Sequence, residues 1–142
     1  MKKSVFVSAL LFLAVSLFTI GTINAEKKVQ GTSKSSAKIE VYYFHFTRRC
    51  ATCQAVENES QKAIAALYPN QLKKGKVQFR SLNLDDKGSK VIADRCKAEG
   101  QALLIISGSK RVDLTDQGFM YARSKPEKLK EEIRKAIDPL IR

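Results

Sequence analysis

The chain has 142 residues, of which 44% are hydrophobic and 28% charged, and its 26 Lys and Arg outnumber 14 Asp and Glu for a formal net charge of +12. That length supports one compact domain with a real core. The basic residues are scattered among acids with no basic block and no Gly or aromatic nucleic-acid motif, so the charge reads as a solvated surface and nucleic acid is not an expected partner.

Residues 1–25 carry Lys2 and Lys3, an apolar run from Val5 to Ile20, and then a short polar stretch ending in Ala25. This is the pattern of a secretory signal peptide, with cleavage expected near Ala25. The alternative is an uncleaved anchor, since apolar residues reach nearly to Ile23 and a membrane span needs ~20 of them. A membrane association is expected only in that case. Either way the rest of the chain is expected outside the cytoplasm, and after cleavage in the periplasm. No cysteine follows the run, so no lipid-anchored amino terminus is expected. Residues 26–37 are small and polar without apolar periodicity and read as a flexible linker; the folded domain is expected over 38–142.

Within that domain, "KIEVYYFHF" (38–46) is β-branched and aromatic and nearly continuous, which predicts a strand buried on both faces. "CATCQAVENESQKAIAALYPN" shifts to helical spacing, with Ala55, Val56, Ile64 and Leu67 recurring near three and four; Pro69 and Asn70 should close the helix. A second strand follows over 76–84, with Val77, Phe79 and Leu82 as inward candidates. Residues 85–100 read as a helix capped by Asp85 or Asp86 and stopped at Gly100. "QALLIIS" is another buried strand, turning through Gly108 and Ser109 into a hairpin partner. "DQGFMYA" suggests a helical turn. Last, Ser124 and Glu127 form a capping-box pattern with Pro126 in the first turn, opening a helix that Asp138-Pro139 should end. Its Leu129, Ile133 and Ile137 lie on one stripe.

The order β, α, β, α, β, β, α, with Cys50 and Cys53 at the start of the helix after the first core strand, resembles the thioredoxin fold. That resemblance implies an α/β domain with a mixed β-sheet flanked by helices on both faces. The finer pattern, "YYFHFTRRCATCQAVE" with "GQALLII" and "VDLTDQGFMYARSKPEKL", is similar to the bacterial family of nitrophenyl compound nitroreductase subunit ArsF, which are small exported thioredoxin-like proteins. The family label implies nitro-group reduction. The sequence itself contains no flavin or nicotinamide motif, and no cofactor is expected.

Three cysteines in an oxidising compartment will be oxidised unless a reductant maintains them. The odd number suggests one pair and one leftover, with the neighbours Cys50 and Cys53 as the pair. Two intervening residues let one helical turn hold both sulfurs in bonding range. Cys50 at the helix start faces unpaired N–H groups and the positive dipole end, and Arg48 and Arg49 add charge nearby, so Cys50 is the expected nucleophile and Cys53 the resolving thiol. Thioredoxins have tryptophan before the first cysteine, where this chain has Arg49. Their buried acid, six residues before that cysteine, is replaced by Phe44. His45, the sole histidine, either takes the proton-transfer role or is a hydrogen-bonded strand residue. In place of the thioredoxin cis-proline dipeptide stands Gln101-Ala102, expected trans because a non-proline cis bond costs ~3 kcal/mol. Gln101 then becomes a candidate to offer its amide to a substrate backbone.

Cys96, four after Ile92, is either a small buried apolar residue or a third redox thiol. His45, Cys50, Cys53 and Cys96 include the ligand types of a zinc site, but the second pair is not clustered, and no metal is expected. Gln54 follows Cys53 where haem attachment needs histidine. The leading expectation is therefore an exported thiol-disulfide oxidoreductase, working as a monomer on protein or small-molecule disulfides and thiols with a redox partner. Its rival is a non-enzymatic thioredoxin-like module whose cysteine pair is structural or binds a partner, a soft metal or an arsenic species.

Overall fold

The computed structural model describes residues 37–141; the expected signal peptide and all but the last residue of the expected linker lie outside the described residues. Four strands, β1 (Ile39–His45), β2 (Val77–Asn83), β3 (Ala102–Ser107) and β4 (Lys110–Asp113), form one sheet in the order β2-β1-β3-β4. β1 runs parallel to β2 and antiparallel to β3, and β3 and β4 make the hairpin. The sheet is therefore mixed. Its central strands are the two near-continuous apolar runs, as expected of strands covered on both faces.

Alternation along β1 divides two cores. Ile39, Val41 and Tyr43 pack with Leu103 and Ile105 under α1 (Ala51–Leu67), α4 (Thr115–Tyr121) and α5 (Pro126–Ile141). Tyr42 and Phe44 pack with Leu104 on the opposite face, under Ala93 and Cys96 of α3 (Lys87–Cys96). Helices on both faces of a mixed sheet make this the α/β architecture expected of a thioredoxin-like domain. The stripe on α5 is fully realised: Leu129, Ile133 and Ile137 have no exposed surface, and each such burial stabilises by roughly 1.5–3 kcal/mol. Val77 and Phe79 face the first core, whereas Leu82, of opposite parity, joins the second.

Four boundaries differ from the sequence reading, each for a local reason. Proline disfavours helical geometry in the residue before it, so Tyr68 leaves the helix (φ −129°, ψ 44°), but Pro69 then opens a further short helix, α2 (Pro69–Lys73), rather than ending helical structure. Helix α3 stops at Cys96, well before Gly100, because Lys97 takes a left-handed conformation (φ 55°). The Arg111 guanidinium, brought in by β4, donates to the carbonyls of Cys96 (3.0 Å) and Lys97 (3.4 Å) and satisfies that helix end. Ser124 does not cap α5, since its hydroxyl donates to the Met120 carbonyl instead (3.2 Å). Finally, α5 continues through Pro139 to Ile141. A proline this close to the helix end removes one hydrogen bond, and the packing of Leu140 and Ile141 against the first core offsets that loss.

Candidate functional site

The cysteine pair lies where β1 hands over to α1. Cys50 is the N-cap of α1, with extended backbone (φ −76°, ψ 163°), and its sulfur accepts a hydrogen bond from the Cys53 backbone N–H at 3.1 Å. The cap position, usually filled by an oxygen-bearing side chain, is thus filled by sulfur. The two residues form a disulfide with their Cα atoms 5.1 Å apart. Cys50 is exposed, whereas Cys53, one turn inside, is only 3% exposed. An outside reagent meets Cys50 first.

Two anchors set this geometry. Val56, Ala63 and Ile64 seat α1 on the first core. Gly118 of α4 lets the two helices close up: a Cβ there would come within 3.1 Å of a Val56 methyl, so no larger residue fits without displacement. The loop leading into Cys50 is tied to the end of β2. Thr47 donates its N–H to Asp85 Oδ2 (2.8 Å), Asn83 Nδ2 donates to Thr47 Oγ1 (2.9 Å), and Leu84 N–H donates to the His45 carbonyl (2.7 Å). Asp85 therefore holds the loop rather than capping α3, whose N-cap is Asp86. The Thr47 hydroxyl and N–H beside it hold the Asp85 carboxyl below the usual range.

The flanking basic residues behave differently from each other. Arg48 is exposed and makes no ion pair among the described residues. Arg49 is half-buried, pairs with Glu57 and contacts His45 Nε2 through Nη1 at 3.2 Å. His45 Nδ1 lies 2.9 Å from the Phe46 carbonyl. With Nδ1 donating to that carbonyl, Nε2 is placed to accept from Arg49, so one tautomer satisfies both contacts. His45 is accordingly a hydrogen-bonded residue at the strand end. Both of its nitrogens are engaged.

Beneath this group lies Tyr43, fully buried and with no hydrogen-bond partner for its hydroxyl. Burial pushes that phenol up to about 12; Arg49 lowers it and Glu57 raises it, so all three share one electrostatic neighbourhood. Glu57 was not singled out from the sequence. Its signal was available: it is four residues after Cys53, on the same helical face one turn on, and α-helical side chains lean back toward the amino terminus.

Gln101 stands one step beyond the last paired residues of β1 and β3, Phe44 and Ala102, on the side of His45. Its Oε1 is buried without a hydrogen-bond partner, and no peptide bond among the described residues is cis. Cys96 is on the other face of the sheet, 6% exposed in the second core, with its thiol pushed up by burial. The structure thus brings together Cys50, Cys53, Arg49 and His45 and leaves Cys96 apart. Among the described residues no cluster of three or more His, Cys, Asp or Glu side chains is close enough to hold a metal ion.

Fold and site together define an α/β protein of thioredoxin-like architecture with a Cys-x-x-Cys disulfide at the amino end of its first helix. No family model matches the chain, and no match was found among curated proteins. The functional reading accordingly rests on geometry and chemistry.

Proposed function

We propose that the protein is a thiol-disulfide oxidoreductase, with Cys50 as nucleophile and Cys53 as resolving thiol. The observation that carries this reading is the exposed Cys50 at a helix N-cap, its sulfur accepting the Cys53 N–H. That position stabilises negative charge on sulfur through the N–H groups and the positive end of the helix dipole. In the reducing direction the Cys50 thiolate attacks one sulfur of a substrate disulfide and expels the other as a thiolate. Cys53, losing its proton, then attacks Cys50 and releases the second substrate thiol. Two electrons pass from the pair to the substrate, and the pair ends as its disulfide. The same steps reversed oxidise a dithiol.

Arg49 adds less positive charge at Cys50 than the sequence suggests, because Glu57 balances it; Arg48 and the helix end carry the electrostatic argument. Gln101, with an unpaired amide oxygen at the end of β3, is the residue proposed to meet a substrate backbone N–H. The resemblance to the ArsF family and the signal-like leader support export to the periplasm, where disulfide and thiol substrates and a redox partner would be met. Nitro-group reduction belongs to the same proposal only through that family likeness.

A second reading has one observation in its favour. Phe44, fully buried, occupies the place of the carboxylate that assists thioredoxins, which suits a pair that is structural or binds a partner, a soft metal or an arsenic species. Equilibration in glutathione redox buffers separates the two. A catalytic pair exchanges with glutathione and settles at a defined ratio of dithiol to disulfide; a structural one stays oxidised across the whole glutathione range.

A further inference from the structure

We propose that the α3 face of the sheet carries a second binding site, a cavity for a small molecule bearing a carboxylate or phosphate group. Among the described residues the first face of the sheet is covered by α1, α4 and α5, while the second has only α3. Beside α3, toward the start of β1 and the turn of the β3-β4 hairpin, this leaves a cavity of about 470 Å³. That volume falls within the range of small-molecule sites. It is separate from the cysteine pair, which lies past the other end of β1 and against helix α1 of the opposite face.

Charge determines what fits. Lys38, Arg95, Lys97, Lys110 and Arg111 all line the cavity, and Glu40 is its one acid among the described residues. Lys38 pairs with Glu40 (3.4 Å) and Arg111 with Asp113 (2.9 Å). Arg95, Lys97 and Lys110 have no acidic partner among the described residues, so the balance favours an anion by three charges. The carbonyls at the end of α3 would repel an anion, but Arg111 already occupies those of Cys96 and Lys97.

A second, independent feature points to a ligand. Tyr42 is 1% exposed and lines the cavity; its hydroxyl makes no hydrogen bond of full geometry, although burial and then the Glu40 carboxylate, close enough to act on it as an acceptor, raise it above the usual phenol value. A buried hydroxyl this weakly satisfied is costly, and a bound acceptor reaching it as Glu40 moves aside would relieve that cost. Ile106 and the Tyr42 ring add an apolar wall, which suits a ligand with a flat or apolar body behind its anionic group.

The test uses phenyl phosphate, titrated calorimetrically into the full chain, with benzyl alcohol as the uncharged control. One saturable site in the millimolar range or tighter is expected, with no comparable binding of benzyl alcohol. The exposed-residue double variant Arg95→Gln/Lys110→Gln should weaken binding by about tenfold or more, and Tyr42→Phe several-fold, with thermal unfolding showing that both variants fold. Disulfide exchange at Cys50 should be unchanged at saturating phenyl phosphate. The proposal is overturned by an absence of saturable binding, by equal binding of benzyl alcohol, or by binding that survives the charge variants. Binding that is lost in Arg48→Gln instead would move the anion to the loop before Cys50 and also overturn it.

Discussion

Cys50 and Cys96 are the same residue at opposite ends of two helices, and the contrast explains why one is proposed to react and the other to pack. Cys50 caps the start of α1, exposed, with a backbone N–H directed at its sulfur. Cys96 closes the end of α3, buried among Tyr42, Phe44 and Leu104, with burial pushing its thiol up. A helix start favours thiolate and a helix end disfavours it, while burial in apolar surroundings adds to the penalty at Cys96. On this proposal, reactivity is set by the helix terminus and by water access. Residue type alone decides neither.

The largest expected effect comes from breaking the pair. Cys53→Ser should leave Cys50 free to attack but unable to resolve, so mixed disulfides accumulate and are seen by mass; Cys50→Ser should accumulate none. Accumulation in both variants would mean that Cys53 or Cys96 also acts as a nucleophile, and the mass of the labelled peptide would say which. Cys96→Ser, next in size, should lower stability by roughly 1–2 kcal/mol in denaturant unfolding, because a hydroxyl replaces an apolar contact, while exchange at Cys50 is retained. Lost exchange with unchanged stability would make Cys96 a working thiol and erase the contrast.

Glu57→Gln sharpens the comparison from the Cys50 side. It removes the carboxylate that balances Arg49, leaving more positive charge at the helix start, and should speed alkylation of reduced Cys50 at mildly acidic pH by about threefold. Cys96 should not respond. An unchanged Cys50 rate would mean that the Arg49 charge does not reach the sulfur.

The smallest effect at neutral pH is expected from Tyr43→Phe. Its hydroxyl is buried with no hydrogen-bond partner, so removing it should raise stability at pH 7 by about 1 kcal/mol. The alkaline limb should differ. A phenol whose value rises from 10.0 to about 12 on folding loses its proton first in the unfolded chain, so stability is unaffected below pH 10 and falls as pH rises toward 12. Tyr43→Phe should therefore flatten part of the fall in stability over that window, measured by denaturant unfolding at pH 7 and at alkaline pH. An identical alkaline slope in both proteins would mean that Tyr43 is not desolvated.

The sheet was legible in the sequence because its two central strands are near-continuous apolar runs, and the α5 face because Leu129, Ile133 and Ile137 keep one helical spacing. Element ends were less so, since they depend on partners distant in sequence: Arg111 of β4 meets the carbonyls ending α3, and no local pattern at 97–100 reveals that. Asp85 looked like a helix cap because the Thr47 amide that claims it lies 38 positions away. At the site, the Cys50-Cys53 spacing and the helix start were readable. The cancellation of Arg49 by Glu57 was not, because charges separated by eight positions meet only once the loop and α1 have been folded together.

The central claim is that Cys50 alone, of three cysteines, is an accessible and stabilised thiolate. The most direct test is alkylation of the fully reduced protein across pH, with labelled positions identified by peptide mass. Cys50 should react first, at mildly acidic pH, with Cys53 and Cys96 following only at higher pH and more slowly. If all three react slowly and alike, near the pH of an unperturbed cysteine, the helix start does not activate Cys50 and the pair is a structural or binding element.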